Sequence, residues 1–404
     1  MPHFLEAMAE LQFKDLCFRK KEEEIEVAFL RIFFFTLKKS SLKKIGDYEI
    51  GRNKIIFRKI SLQKAENKFN SLLRKGFNNL KNKLTGNAAL YIHKNSGIPL
   101  IGSLSFGIID KGTDMLELKP ITGCNLDCIF CSVDEGCSTK KTLDIVIEKS
   151  YLVRETKKLL EYKKQPVHIY INPHGEPLLY SDIVELIADL NKIKYVKSIS
   201  IITNAALLTE NLAEQLISAG LTGINVSINS LNPKKSKELA GSSTYDINRV
   251  ISVLGRTKDR IKITIAPVLI DGINNKDIEE LVRYAKKNNF EILIQNFLLN
   301  KRGRKPAKQL DFKKFYDYLE KLGKKYGISL IKKSGIKKTG QLEKPFRKND
   351  IIRAEIISKG RYKDEYLGRS KNRIITVKSS YPLTNTERIR ITGDRYNIFY
   401  GIAL

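Results

Sequence analysis

From Met115 onward, short β-branched runs alternate with longer segments of helical period, the pattern of parallel strands joined by crossover helices. Six strands are predicted: Leu116 to Pro120, Val167 to Asn172, Ser198 to Thr203, Gly223 to Ile228, Lys262 to Pro267 and Glu291 to Phe297. Helices are predicted over Leu143 to Tyr162, Ser181 to Lys192, Thr209 to Ala219 and Asp277 to Asn288, several opened by Ser, Thr or Asp as caps. Six such units imply an α/β fold, a curved and partly open (β/α)6 barrel. Upstream, apolar runs (Glu26 to Phe35, Lys54 to Ile60) and a Lys-rich amphipathic stretch around Gln63 to Leu84 suggest an α+β extension, while Met1 to Glu10 shows no strong pattern. Downstream lie a Gly- and Pro-bearing basic loop, Asn300 to Leu310, and a helix from about Asp311 to Tyr326. Short strands with Gly-containing turns then follow: Ile351 to Lys359, Asn372 to Lys378, Glu387 to Thr392 and Tyr396 to Ala403. That last spacing suits a small β-barrel. The expected domains are 1–105, 106–330 and 341–404.

Composition sharpens this outline. With 404 residues, 42% of them hydrophobic, the chain can bury a sizeable core over two or three domains. The most apolar stretch, Ala28 to Leu37, contains Arg31 and falls well short of the roughly 20 residues a membrane span needs. A buried strand is expected there, and no membrane span. The formal charge of +29 is spread along the sequence and favours a polyanionic partner, although a proteome-wide bias toward Lys, Ile and Asn gives the same number. Five cysteines, three of them close together, do not make a secreted disulfide framework, and no signal peptide opens the chain. A reducing cytoplasm is expected.

The run Thr122-Gly-Cys-Asn-Leu-Asp-Cys-Ile-Phe-Cys131 follows the first predicted strand, so its thiols belong at a strand's C-terminal end, where barrel active sites are built. Cys124, Cys128 and Cys131 offer three thiolates, one fewer than the four irons of a cubane cluster, which leaves one iron open to another ligand. A structural zinc site with Cys137 as fourth ligand is the alternative, although zinc sites usually use paired Cys-x2-Cys units. Cys17 and Cys137 are otherwise given no role.

These residues resemble the radical S-adenosylmethionine (SAM) superfamily over roughly Leu116 to Leu299. Phe130 before the last cysteine matches its pattern. His174-Gly175-Glu176-Pro177 resembles the Gly-Gly-Glu-Pro motif that contacts the SAM amino group, with His for the first Gly. Thr203-Asn204 resembles Thr-Asn-Gly, with Ala205 for Gly. The resemblance implies a [4Fe-4S] cluster on the three cysteines and SAM as cofactor, reductively cleaved to a 5'-deoxyadenosyl radical, with a low-potential donor such as ferredoxin or flavodoxin. It implies SAM contacts from Phe130, Gly175, Glu176, Pro177, Asn204 and Ser227, with Asn229, Gln295 and Asn296 as further candidates. For Asn204 and Ser227 helix capping is the structural alternative. The segments Phe106 to Thr113 and Ser132 to Gly136 look more closely like an archaeal family of uncharacterised radical SAM proteins.

The tail from Gln341 resembles a TRAM domain, an OB-like barrel of RNA-modifying enzymes. Its 14 Lys or Arg against 7 Asp or Glu, interleaved with tyrosines, suit single-stranded RNA, or else form a solvated face. Arg302, Arg304, Arg369, Arg373 and Arg388 are the expected RNA contacts. The functional expectation is therefore an RNA-modifying radical SAM enzyme, tRNA being the favoured substrate. Methylthiotransferases share barrel and tail but need three more upstream cysteines, and Cys17 alone cannot supply them. Two other readings stand beside this one: radical chemistry on a peptide or small metabolite, and a non-catalytic iron-sulfur RNA-binding protein. RNA copurification discriminates the first, and SAM cleavage after reduction the second. Oligomeric state is not legible.

Overall fold

The computed structural model describes residues 8–332 and 335–404. All six predicted core strands form: β1 (Met115–Lys119), β2 (Val167–Ile171), β3 (Val196–Thr203), β4 (Gly223–Val226), β5 (Lys262–Ile265) and β6 (Glu291–Ile292). They pair in parallel in the order β6-β5-β4-β3-β2-β1, and Gly107–Asp110 closes the edge antiparallel to β1. The predicted fifth and sixth strands are each broken near their C-terminal ends. Pro267 has no N–H to give the ladder, and pairing resumes only as the short couple Val268–Leu269 and Gln295–Asn296.

The strands alternate as a half-covered sheet does. Val167, Ile169, Ile171, Ile199 and Ile201 are buried on the outer face, where the crossover helices cover them. The inner face carries His168, Tyr170, Ser198, Ser200 and Asn225, which line a cavity of about 510 Å³ near the strands' N-terminal ends. A closed eight-stranded barrel packs this space with branched apolar side chains; here it is polar and open.

Four sequence expectations change. The helix predicted from Leu143 begins only at Lys149, because Leu143–Ile147 is a strand with all five residues buried. It pairs in parallel with Ala88–Ile92 and so joins the cysteine segment to a six-stranded N-terminal sheet. The apolar stretch Ala28 to Leu37 is not one strand but a hairpin, Glu24–Phe29 and Phe33–Lys38, whose turn places Leu30 and Arg31 at φ 45° and 66°. Two helices the pattern missed, Pro233–Ala240 and Ile247–Thr257, lie between β4 and β5. Met8–Gln12 is a strand, whereas the preceding residues 1–7 lie outside the described residues.

The amphipathic stretch becomes helix Leu62–Phe77, whose Phe69 packs with Phe13, Phe18 and Phe57. The tail is a closed five-stranded barrel in the order Ile351–Lys359, Glu365–Ser370, Arg373–Lys378, Phe399–Ala403, Thr386–Gly393. Its own core holds Phe346, Ile375, Val377, Ile389, Ile391 and Phe399. The barrel is sewn to the rest of the chain by backbone bonds from Ile374 N–H to Ile101 O and from Phe399 N–H to Gly102 O, each 2.9 Å. A Cβ on Gly102 would sit 2.1 Å from Ile374 O, so glycine is required there. Among the described residues, no helix is long and apolar enough to cross a membrane.

Candidate active site

The loop after β1 and the turn after β2 are zipped together by two backbone bonds, Gly123 N–H to His174 O (3.2 Å) and Glu176 N–H to Gly123 O (3.0 Å). Gly175 has φ 136°, and a Cβ there would lie 1.9 Å from Gly123 O, so this glycine is obligatory. His174 needs no positive φ, and histidine in place of glycine therefore leaves the turn intact. Ala205 does adopt the left-handed conformation (φ 57°) that glycine holds without strain, and its N–H donates to Thr203 Oγ1 (2.9 Å). Both departures from the family motifs thus keep the local backbone path.

Glu176 is buried and accepts hydrogen bonds from Leu178 N (3.0 Å), Thr203 Oγ1 (2.6 Å) and Asn204 N (2.9 Å). Burial outweighs these three donors and raises its carboxyl to about 7. Its contacts lock the ends of β2 and β3 together. Asn204 Oδ1 accepts from Ala206 N, while Nδ2 reaches Asn125 Oδ1 (3.0 Å) and Cys124 Sγ (3.7 Å). Asn204 thus bonds to the cysteine loop, and the following helix is capped instead by Thr209.

The cysteine loop is held from two sides. Helix Pro233–Ala240 receives it through Asp127 N–H to Ala240 O (3.0 Å) and Ile129 N–H to Leu239 O (3.1 Å). Arg304, from the basic loop, holds the other side. Its backbone N–H donates to Cys131 O (2.9 Å), and its guanidinium reaches Cys128 O (3.1 Å), Asp127 Oδ1 (2.8 Å), Asp134 Oδ1 (3.0 Å), Glu135 O (2.9 Å) and Ser138 Oγ (2.9 Å). Behind this, Asp144 is fully buried and joins three parts of the chain: Asn82 and Thr85 of the N-terminal sheet, Thr122 of the cysteine segment, and Arg361 of the tail. Glu135 pairs with both Lys141 and Arg361, and burial beside Arg361 lowers the Lys141 ammonium to about 8.

These elements enclose a cavity of about 250 Å³ at the strands' C-terminal ends. Cys124, Cys128 and Cys131 share its wall with Phe130, Gly175, Glu176, Asn204, Ser227, Asn229, Gln295 and Asn296. Pro177 is buried behind it at the start of a short 3-10 turn. Cys137 is exposed and does not line the cavity, nor does Cys17. Ser236, Leu239, Ala240 and Tyr245 also line it and went unpredicted; the Asn232-Pro233 helix start and Gly241 stop were the readable signal.

Burial raises the Cys128 thiol to about 12 and the Cys124 thiol well above its usual range, so a metal taken up by these thiols would have to displace their protons. Among the described residues, no group of three or more His, Cys, Asp or Glu is arranged to hold a single metal ion. The donor set fits a cluster that takes one thiolate per iron, with hydroxyl, amide and apolar groups opposite for an organic cofactor. Asn296 adds an orphan acceptor: Nδ2 donates to Leu310 O (2.8 Å), while the buried Oδ1 has no hydrogen-bond partner among the described residues. An adenine amino group is a donor of the kind that oxygen lacks.

The expected RNA contacts divide. Arg304 is spent on the cysteine loop, and Arg302 pairs with Glu365 and stacks on Tyr362 at 3.8 Å. Arg369 binds Glu355 and Gly97 O, and Arg373 binds Asn372 O and Glu343 O. Arg388 is exposed, and its side chain makes no hydrogen bond or ion pair among the described residues.

The sequence profile of the radical SAM superfamily matches residues 118–285. The chain is 34% identical over 359 residues to an uncharacterised protein of Methanocaldococcus jannaschii, covering 80% of this chain and 82% of that one. It is 30% identical over 187 residues to a GTP 3',8-cyclase of Listeria monocytogenes, covering 46% of this chain and 54% of the cyclase, and so spans about half the length of the curated cyclases it matches. The solved structure of TYW1 with a lysine-pyruvate adduct bound is 18% identical, with a TM-score of 0.39, covering 54% of this chain and 74% of that one. The chain is a radical SAM enzyme, a member of the superfamily whose enzymes use a [4Fe-4S] cluster and S-adenosylmethionine.

Proposed function

We propose that Cys124, Cys128 and Cys131 hold the cluster and that the enzyme modifies RNA, tRNA being the favoured kind. One observation carries the RNA reading. On the outer face of the tail barrel, strand pairing sets Ile351, Arg390, Ile402 and Lys378 in one row, with Arg353 opposite Arg388 beside it. All six are exposed. Arg353, Arg388 and Arg390 make no side-chain hydrogen bond or ion pair among the described residues, so three guanidinium groups stand free for phosphates. The face runs through Lys378 and Tyr400 to a cavity that Ser132 and Val133 of the cysteine loop also line. Free cations beside exposed aromatic and aliphatic side chains suit a single strand rather than a small metabolite.

When bound, the cluster supplies an electron to the SAM sulfonium, and the cleaved cofactor supplies hydrogen abstraction from substrate. The chain's residues prepare that chemistry. Asn204 and the Gly123–Gly175 zip hold Cys124 at the ends of β1, β2 and β3. Arg304 fixes the carbonyls of Cys128 and Cys131, and Phe130 with Leu239, Ile270 and Phe297 makes an apolar patch at the cavity. Asn296 Oδ1 and Ser227 offer hydrogen-bond partners to the nucleoside part.

The test is filter binding of tRNA to the full-length protein between about 50 and 200 mM salt. Replacing Arg353, Arg388 and Arg390 together by Ala should lower the salt slope by about 2, at roughly 0.7 per contact with a single strand. An unchanged slope and affinity would remove RNA as the substrate.

A further inference from the structure

The seam between the tail barrel and the core holds a second cavity, of about 360 Å³, which shares Ser132 with the cysteine cavity. Its size lies at the small end for ligand pockets and suits one nucleotide rather than a duplex. Its core side includes Ser103, Ser105, Ser132, Val133 and His174; its barrel side includes Tyr362, Glu365, Lys378 and Tyr400.

Charge bookkeeping decides what it takes. Arg302 is answered by Glu365 and Asp364, Lys141 by Glu135, and Arg361 by Glu135 and Asp144. Only Lys378, at the rim, is loosely held, 3.8 Å from Asp364 with both side chains about half exposed. A pocket for a di- or triphosphate, which needs several unanswered cations, is therefore not built. Instead, a carboxylate is turned toward the cavity: Glu365 is 8% exposed, its Oε1 accepts from Arg302, and its Oε2 accepts no hydrogen bond among the described residues. Burial raises its carboxyl above the usual range, as expected of an acceptor kept in a dry place. One face of Tyr362 is covered by Arg302, whereas Tyr400 is 37% exposed.

We infer that this seam cavity binds a nucleotide flanking the one that reacts, its base stacked on Tyr400, its N–H edge on Glu365 and its phosphate on Lys378. The inference rests on the RNA reading above and adds a register to it: the base in the seam fixes which neighbour reaches the cysteine cavity past Ser132.

The experiment is isothermal titration of the full-length protein with nucleoside monophosphates, ribose 5-phosphate and inorganic phosphate, beside a single-stranded RNA decamer. Nucleoside monophosphates should bind at least tenfold more tightly than ribose 5-phosphate or phosphate. Tyr400→Ala and Glu365→Gln should each cost at least fivefold, in line with base stacking and a buried hydrogen bond. Lys378→Ala, at an exposed position, serves as a further variant if Glu365→Gln fails to fold, and should weaken monophosphates without affecting free nucleosides. Equal binding of ribose 5-phosphate, or no effect of Tyr400→Ala, would overturn the inference. If the decamer binds through Arg388 and Arg390 while monophosphates do not, the seam site falls and the RNA reading stands; if neither binds, both fall.

Discussion

The cysteine loop and the outer face of the tail barrel are both dense in charge, but they dispose of it in opposite ways. In the loop, Arg304 turns its guanidinium to five acceptors, and Lys141, Glu135, Arg361 and Asp144 answer one another in the interior. On the barrel, the side chains of Arg353, Arg388 and Arg390 have no hydrogen-bond or ion-pair partner among the described residues. A buried charge must be paired because leaving water costs several kcal/mol, whereas an exposed one is solvated until a ligand arrives. The closed side therefore holds geometry, and the open side is available for recognition. Proximity in sequence did not sort them: Arg302 and Arg304 belong to the basic loop at the barrel mouth, yet both are committed to protein partners.

Breaking the closed side should have the largest effect. Arg304→Met strips the partner from Asp127 and Asp134 and frees the Cys128 and Cys131 carbonyls; we expect iron and sulfide retention after anaerobic desalting to fall severalfold, with Arg304→Lys intermediate. Retention equal to wild type would show that the loop holds itself. Glu176 gives a second, smaller effect. Its folded pKa of about 7 lies above the unfolded value near 4.5, so its contribution is fully present below pH 4.5 and is lost as pH rises through 7. At about 1.4 kcal/mol per unit the loss is on the order of 3 kcal/mol. The melting temperature of cluster-free protein should therefore decline from pH 5 to pH 7.5, and Glu176→Gln should flatten that decline; an equal slope in the variant would refute the shift. On the open side, the triple arginine replacement should weaken tRNA binding at low salt tenfold or more while sparing uncoupled SAM cleavage. Smallest of all, Arg369→Ala, whose side chain already serves Glu355 and Gly97, should change tRNA affinity less than threefold in the same filter assay.

Local pattern revealed what local forces decide. Five of the six core strands carry Ile or Val at period two and the first carries Leu116 and Leu118, and four of the five tail strands were marked by Gly, Asn and Ser turns, so these were readable. Leu143–Ile147 was not, because its partner strand Ala88–Ile92 lies some fifty residues upstream and a short apolar run reads equally as helix. Glu365–Ser370 was missed because its Glu, Gly, Arg and Ser have weak strand propensity and only pairing on both sides makes it a strand. Helix Pro233–Ala240 was signalled by its ends and overlooked in its polar middle. At the site, the cysteine and Gly-Glu-Pro motifs marked the cavity wall, but the role of Arg304 depends on contacts 166 to 177 residues away. Spacing along the chain cannot show a contact that only the closed fold makes.

The most direct test of the central claim is to reconstitute the protein anaerobically with iron and sulfide, reduce it, and follow SAM by chromatography. Wild type should carry four irons per chain and form 5'-deoxyadenosine, while Cys128→Ala forms none. A Cys128→Ala protein that cleaves SAM as fast as wild type, or a wild-type protein that binds zinc and no sulfide, would contradict it.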